Sequence, residues 1–139
     1  MNNETLSENT PILVEKSGPL HGSVTVSGAK NSALKIMAAC LLAPGTFTLR
    51  NVPMIADVKW MSELLEHMGA SISFNENELT INVPETLTPE APYELVERMR
   101  ASIVVLGPLL ARFGTARVSV PGGDDFGHRP IDMHLRGLE

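Results

Sequence analysis

Residues 120–130, VPGGDDFGHRP, bring three glycines, two adjacent aspartates, a histidine and an arginine into one short segment. Gly122, Gly123 and Gly127 permit backbone conformations closed to other residues and let a ligand approach the main chain, although the same composition also suits a surface turn. Asp124 and Asp125 are ordinary carboxylates if both are solvated. If one is held out of water, or faces a bound anion, its pKa rises toward neutrality and it becomes a proton donor. Arg129 and Pro130 read as the start of a helix, because proline suits the first helical turn. Amides at a helix start, joined by a guanidinium, form an anion site whose bidentate geometry suits phosphate.

Lys30 and Asn31 stand at a comparable place, directly after VSGA, where a strand passes through Gly28 into a helix. A lysine there opposes the helix dipole, and a bound anion would remove the conflict. Arg100, in ERMRAS, lies on a third predicted helix. Each of these cations alone reads as a solvated side chain; together, Lys30, Arg100 and Arg129 point to an anion-binding α/β domain with an acidic catalyst. His128 and His134 lack metal-ligand spacing, so neither a metal nor a cofactor is expected. Cys40, within LKIMAACLLA, reads as buried filler.

The elements that must position these residues are mixed helix and strand. Alternation of apolar residues predicts strands at Val24 and Val26, at Phe47 and Leu49, and at Val118 and Val120. Ile72 and Phe74, then Leu79, Ile81 and Val83, flank NEN as a hairpin. Residues 30–43 are apolar almost all round and predict a buried helix, whereas Val58, Met61, Leu64, Leu65 and Met68 make the single stripe of an amphipathic one. A helix from about Tyr93 to Phe113 should kink or split at Pro108. LLAPGTFTLRNVP and LLARFGTARVSVP both run from a helix end through Gly-Thr into a strand closing on Val-Pro, as in a duplicated unit. Asp57 follows Pro53 by four positions, but Asp132 follows Pro121 by eleven, so the second copy carries seven additional residues, in the segment that opened this section. A loop enlarged in only one of two equivalent places is a functional candidate, since folding of the unit does not require it.

Composition sets the outer limits. With 139 residues, 43% hydrophobic and 19% charged, the sequence suits one globular domain, with residues 1–10 as a disordered tail. A net charge of −5 supplies no basic footprint for nucleic acid or anionic membrane. The N-terminus lacks the basic and apolar regions of a signal peptide and no apolar run is long enough to cross a membrane, so a cytoplasmic location is expected.

The strings SGAKNSALKIMAACLLA, NVP, MRASIVVLGPLLARFG, PGG and GHRPIDMH, in this order and spacing, resemble the N-terminal part of the UDP-N-acetylglucosamine enolpyruvyl transferases, from about residue 11 to the end. The resemblance implies an inside-out α/β barrel of the enolpyruvyl transferase type, built from repeated helix-and-sheet units and here only partly present. It implies transfer of the enolpyruvyl group of phosphoenolpyruvate to the 3-hydroxyl of UDP-N-acetylglucosamine, the first committed step of peptidoglycan synthesis. Lys30 and Asn31 match the family's phosphoenolpyruvate contacts and Arg100 a substrate-site arginine. The run Arg129, Pro130, Ile131, Asp132 and Met133 matches the segment that holds the uridine nucleotide.

Most members carry a cysteine, the proton donor alkylated by fosfomycin, where this sequence has Asp124. A carboxylic acid can protonate carbon if its pKa is raised, but it is a poor nucleophile toward an epoxide, so insensitivity to fosfomycin is expected. Adjacent Asp125 is the alternative acid. The family's chains are about three times this length, so residues 11–139 are expected to be a C-terminally truncated part that does not turn over alone. The rival readings are the shikimate-pathway enolpyruvyl transferase and a non-catalytic nucleotide-binding module.

Overall fold

The computed structural model describes residues 11–122 and 130–138. Its first helix, α1 (Lys30–Ala39), continues into a 3-10 turn over Cys40–Leu42. Ala33, Leu34, Met37 and Ala38 fall on one helical face and are buried, as are Cys40 and Leu41 beyond them. Ile36 and Leu42, by contrast, are about half exposed. The expectation of burial all round is therefore corrected: α1 lies on the core along one face.

Strand β1 (Gly45–Leu49) leads to α2 (Ala56–His67), and the stripe Val58, Met61, Leu64, Leu65 and Met68 is fully buried, as its spacing requires. Strands β2 (Ser71–Asn75) and β3 (Glu78–Val83) form the predicted hairpin, with Glu76 in the turn at a φ of 52°. The antiparallel sheet has the order β1-β3-β2. Its register lines up Phe47, Ile81 and Ile72 in one row and Leu49, Leu79 and Phe74 in the next, an alternation that faces one side of the sheet to the core.

The second half is wound differently. Strand β4 (Glu90–Ala91), helix α3 (Tyr93–Val96), a 3-10 segment over Arg100–Val105 and helix α4 (Leu106–Phe113) precede β5 (Arg117–Val118), which pairs parallel to β4. The last element is α5 (Asp132–Leu138). The long helix expected over 93–113 breaks at Met99, which is extended at φ −149° and ψ 117°, and not at Pro108. Pro108 is the third residue of α4, in the first turn, where no helical partner is lost with its missing N–H. Val120 lies beyond β5 and is exposed. Both copies of the repeated string run from helix to strand, yet β1 joins the antiparallel sheet while β5 joins the parallel pair.

Arg112 ties the halves together. Its guanidinium donates to the carbonyl oxygens of Leu41 at 3.0 Å, Pro84 at 2.8 Å and Glu85 at 2.8 Å, and lies 5.0 Å from the centre of the Phe113 ring.

The strand expected at Val24 and Val26 is not formed; both side chains are exposed, as are Ile12, Leu13, Val14 and Leu20. Alternation marks which face of a strand would be apolar, but a strand exists only where a neighbouring edge takes up its backbone hydrogen bonds, and no described strand pairs with this one. Among the described residues, no helix is long and apolar enough to cross a membrane.

Candidate active site

Lys30 is the first residue of α1, and Ala29 before it has no side chain able to cap the helix. The start of α1 thus offers uncapped amides beside an ammonium, the arrangement that suits an anion. The ammonium is held by α2: Lys30 Nζ lies 3.1 Å from Asp57 Oδ1, with the lysine side chain half exposed and the aspartate three-quarters buried. Asp57 offsets part of the conflict between Lys30 and the helix dipole. Asn31 is exposed beside it.

The approach to α1 is set by a close contact. Gly28 donates its N–H to Asn51 Oδ1 at 3.2 Å, and its Cα lies so near the Asn51 carbonyl that a Cβ would overlap it. Asn51 itself sits at a φ of 57°, a region that asparagine tolerates better than most residues. Gly28, Ala29, Ser32 and Asn51 line one side of an open cleft of about 320 Å³ at this end of α1.

Arg100 opens the 3-10 segment that packs against α1, so the elements headed by Lys30 and Arg100 are neighbours. Arg100 is partly buried and forms no ion pair among the described residues. The turn that carries it is braced from within. Ser102, fully buried, donates to the Met99 carbonyl at 2.6 Å and approaches the Val96 carbonyl at 3.4 Å. The Val96 carbonyl also accepts from the Gly122 N–H at 3.1 Å. Gly122 lies flush against the next residue of that turn: a Cβ at Gly122 would fall 2.6 Å from the Glu97 carbonyl carbon and 2.8 Å from its Cα. Arg100 and the base of the enlarged loop are therefore anchored on the same few residues.

Asp124 and Arg129 lie outside the described residues, as do Asp125 and His128. The helix expected to begin at Arg129 and Pro130 begins two residues later: the Ile131 carbonyl accepts from the N–H groups of His134 and Leu135, which makes Asp132 the first helical residue. Proline's preference for the first turn is satisfied equally well just ahead of it, where its fixed φ leads the chain in. Pro130 is exposed, Ile131 partly buried and Met133 largely exposed. Asp132 is 3.8 Å from Arg136 one turn along. Between α5 and the Arg100 segment lies an apolar cavity of about 430 Å³, lined by Ile103, Val104, Leu106, Met133, His134 and Leu138. Cys40 is buried, donates to the Ile36 carbonyl at 3.3 Å, and has its thiol pKa pushed above the usual 9.0 by desolvation. Packing is its role, as expected.

Sequence reasoning recognised Asp57 only as the residue opening α2, and found no part for Ser102 or Gly122. An acid four residues after NVP, in the first turn of a helix, was the available signal for the first; Gly122 depends on contacts distant in sequence, and Ser102 bonds to carbonyls three and six residues back without any pattern that marks it.

The sequence pattern of EPSP synthase (3-phosphoshikimate 1-carboxyvinyltransferase) matches residues 14–139. The chain belongs to the EPSP synthase family. Within this family of enolpyruvyl transferases it is similar to a UDP-N-acetylglucosamine 1-carboxyvinyltransferase of Anaeromyxobacter dehalogenans, 56% identical over 130 residues that make up 91% of this chain and 31% of that one. A relative of the same name from Chlorobaculum parvum is 54% identical over 121 residues, 86% of this chain and 28% of that one. The chain thus spans about a third of the length of the curated relatives it matches. Among solved structures, the enolpyruvyl transferase NikO from Streptomyces tendae is similar with a TM-score of 0.63 and 28% identity, over 70% of this chain and 23% of that one. The mixed α/β units described above are part of the enolpyruvyl transferase fold, as the sequence implied.

Proposed function

We propose that this chain is the N-terminal part, from residue 11 onward, of an enzyme that transfers the enolpyruvyl group of phosphoenolpyruvate to the 3-hydroxyl of UDP-N-acetylglucosamine, releasing phosphate. The observation that carries this reading is the 56% identity, over 91% of the chain, with a relative named for that reaction. The sugar hydroxyl gives its proton to a base as its oxygen bonds to C2 of phosphoenolpyruvate, while C3 takes a proton from Asp124, giving a tetrahedral ketal. Expulsion of inorganic phosphate from C2, with loss of a proton from C3, restores the double bond as the enolpyruvyl ether.

Each residue has a task in this scheme. Lys30, Asn31 and the uncapped start of α1 receive the anionic groups of phosphoenolpyruvate, where an ammonium and oriented amides offset negative charge. Arg100 lies at the substrate site, and the run from Arg129 through Pro130, Ile131, Asp132 and Met133 holds the uridine nucleotide, with Arg129 also near the phosphoenolpyruvate. Asp124 is the general acid: a carboxyl group protonates carbon near neutrality only if desolvation or a neighbouring anion raises its pKa. The reaction belongs to cytoplasmic peptidoglycan synthesis and so to cell-wall growth and division.

Phosphate release tests the reading. The full-length protein given phosphoenolpyruvate and UDP-N-acetylglucosamine should release phosphate, and should not do so with shikimate 3-phosphate; the reverse preference would overturn the assignment. Asp124→Asn should abolish turnover while Asp125→Asn retains it. If only Asp125→Asn is inactive, the acid is the neighbouring residue. Isolated residues 1–139 should release none, and turnover by them would show that the catalytic machinery is complete within this part.

A further inference from the structure

Asp57 has no assigned role in this chemistry, yet among the described residues it is the ion-pair partner of Lys30, whereas Arg100, the other described cation proposed for the site, forms no ion pair. Two physical facts make the contact asymmetric. The carboxylate stands in the first turn of α2, where the helix dipole favours negative charge, and its short side chain is three-quarters buried, which restricts its motion. The ammonium stands on the first residue of α1, where the dipole opposes it, at the end of a side chain with four rotatable carbons, half in water. Left alone, such a lysine spreads over many rotamers and away from the helix start. An ammonium has three donors, so contact with one carboxylate oxygen leaves the others free for an incoming ligand.

We infer that Asp57 is a positioning residue for the phosphoenolpyruvate site: it holds the Lys30 ammonium at the start of α1, with donors left over for the anionic group that the substrate brings. The inference rests on the proposed role of Lys30. Asp57 acts through that lysine and touches no reacting atom. The negative charge of Asp57 also repels an incoming anion, but it is paired with the Lys30 ammonium at 3.1 Å, which offsets that repulsion.

A double-mutant cycle in the full-length protein tests this, with KM for each substrate and kcat measured for Asp57→Asn, Asp57→Glu, Lys30→Gln and the double variant Lys30→Gln with Asp57→Asn. Asp57→Asn should raise the KM for phosphoenolpyruvate about tenfold or more while changing that for UDP-N-acetylglucosamine less than twofold. Asp57→Glu should recover most of the loss. In the Lys30→Gln background, Asp57→Asn should add nothing, because the group it positions is gone. The inference is overturned if Asp57→Asn leaves phosphoenolpyruvate binding unchanged or tightens it, if the two effects multiply, or if the variant loses cooperative unfolding and UDP-N-acetylglucosamine binding, which would assign Asp57 to the fold. A wild-type phosphoenolpyruvate KM in Lys30→Gln would instead sink the role proposed for Lys30.

Discussion

Gly122 offers a sharp test of the role proposed for Asp124. Its φ lies outside the left-handed region, so alanine there is not excluded by backbone conformation; what excludes it is room. A new methyl would sit 2.6 Å from the Glu97 carbonyl carbon, where ordinary contact begins near 3.4 Å, and the neighbour is main chain that cannot swing aside as a side chain could. Relief requires the base of the loop and the Val96–Glu97 turn to separate by roughly 1 Å. Asp124, the proposed acid, is two residues further on. A misplacement of that size at a reacting group costs about 10²-fold in turnover, so Gly122→Ala should lower kcat of the full-length enzyme by about two orders of magnitude. Overpacking of this kind costs about 1–3 kcal/mol, a few degrees in Tm, so the protein should remain folded and bind UDP-N-acetylglucosamine. Phosphate release under saturating substrates, with calorimetry for nucleotide binding, measures both. A variant with kcat within about threefold of the parent would refute the reasoning, because the contact would then be one the loop can leave without consequence.

Three further outcomes are expected. Arg112→Lys should destabilise the 139-residue chain by about 1–3 kcal/mol in urea unfolding, since an ammonium cannot reproduce the guanidinium's planar reach to three carbonyls; a change below about 0.5 kcal/mol would show that water replaces those bonds without loss. Burial raises the Cys40 pKa above 9.0, so the stability owed to the neutral thiol is present below the unfolded-state value and lost as pH rises through the folded one. The urea midpoint of the parent should accordingly fall more steeply than that of Cys40→Ala between about pH 8 and about pH 10, and equal slopes would contradict the cause given for the shift. The full-length enzyme should resist fosfomycin; time-dependent inactivation with an adduct on the Asp124 peptide would overturn that expectation.

What could be read from the sequence followed the range of the interactions involved. The α2 stripe and the β2-β3 hairpin are local patterns, in which period and turn residues carry nearly all the information, and they stand as expected. Residues 24–26 show the same kind of alternation without forming a strand, because pairing needs an edge supplied from elsewhere. The break at Met99 escaped notice for a related reason. Proline is a visible signal, whereas the extended backbone at Met99 goes with a buried Ser102 that bonds back to the Met99 carbonyl and with Gly122, which reaches the Val96 carbonyl from far along the chain. At the site, the cation at the start of α1 was legible as an electrostatic anomaly, but its counter-ion, 27 positions away, was not, since nothing in linear spacing brings Asp57 to Lys30. Family likeness supplied the chemistry that spacing alone left as anion binding.

The stretch from residue 11 to the Gly28 contact has a practical side. Its backbone is in neither helix nor sheet and its side chains are open to water, so it presents the kind of substrate that endoproteases accept. Brief digestion should clip the 139-residue chain ahead of Gly28 and leave a resistant remainder that still contains Lys30, Arg100 and the whole buried cluster. A shorter expression boundary set there would shed six exposed, sticky aliphatic side chains and make a better-behaved sample for crystallisation or spectroscopy.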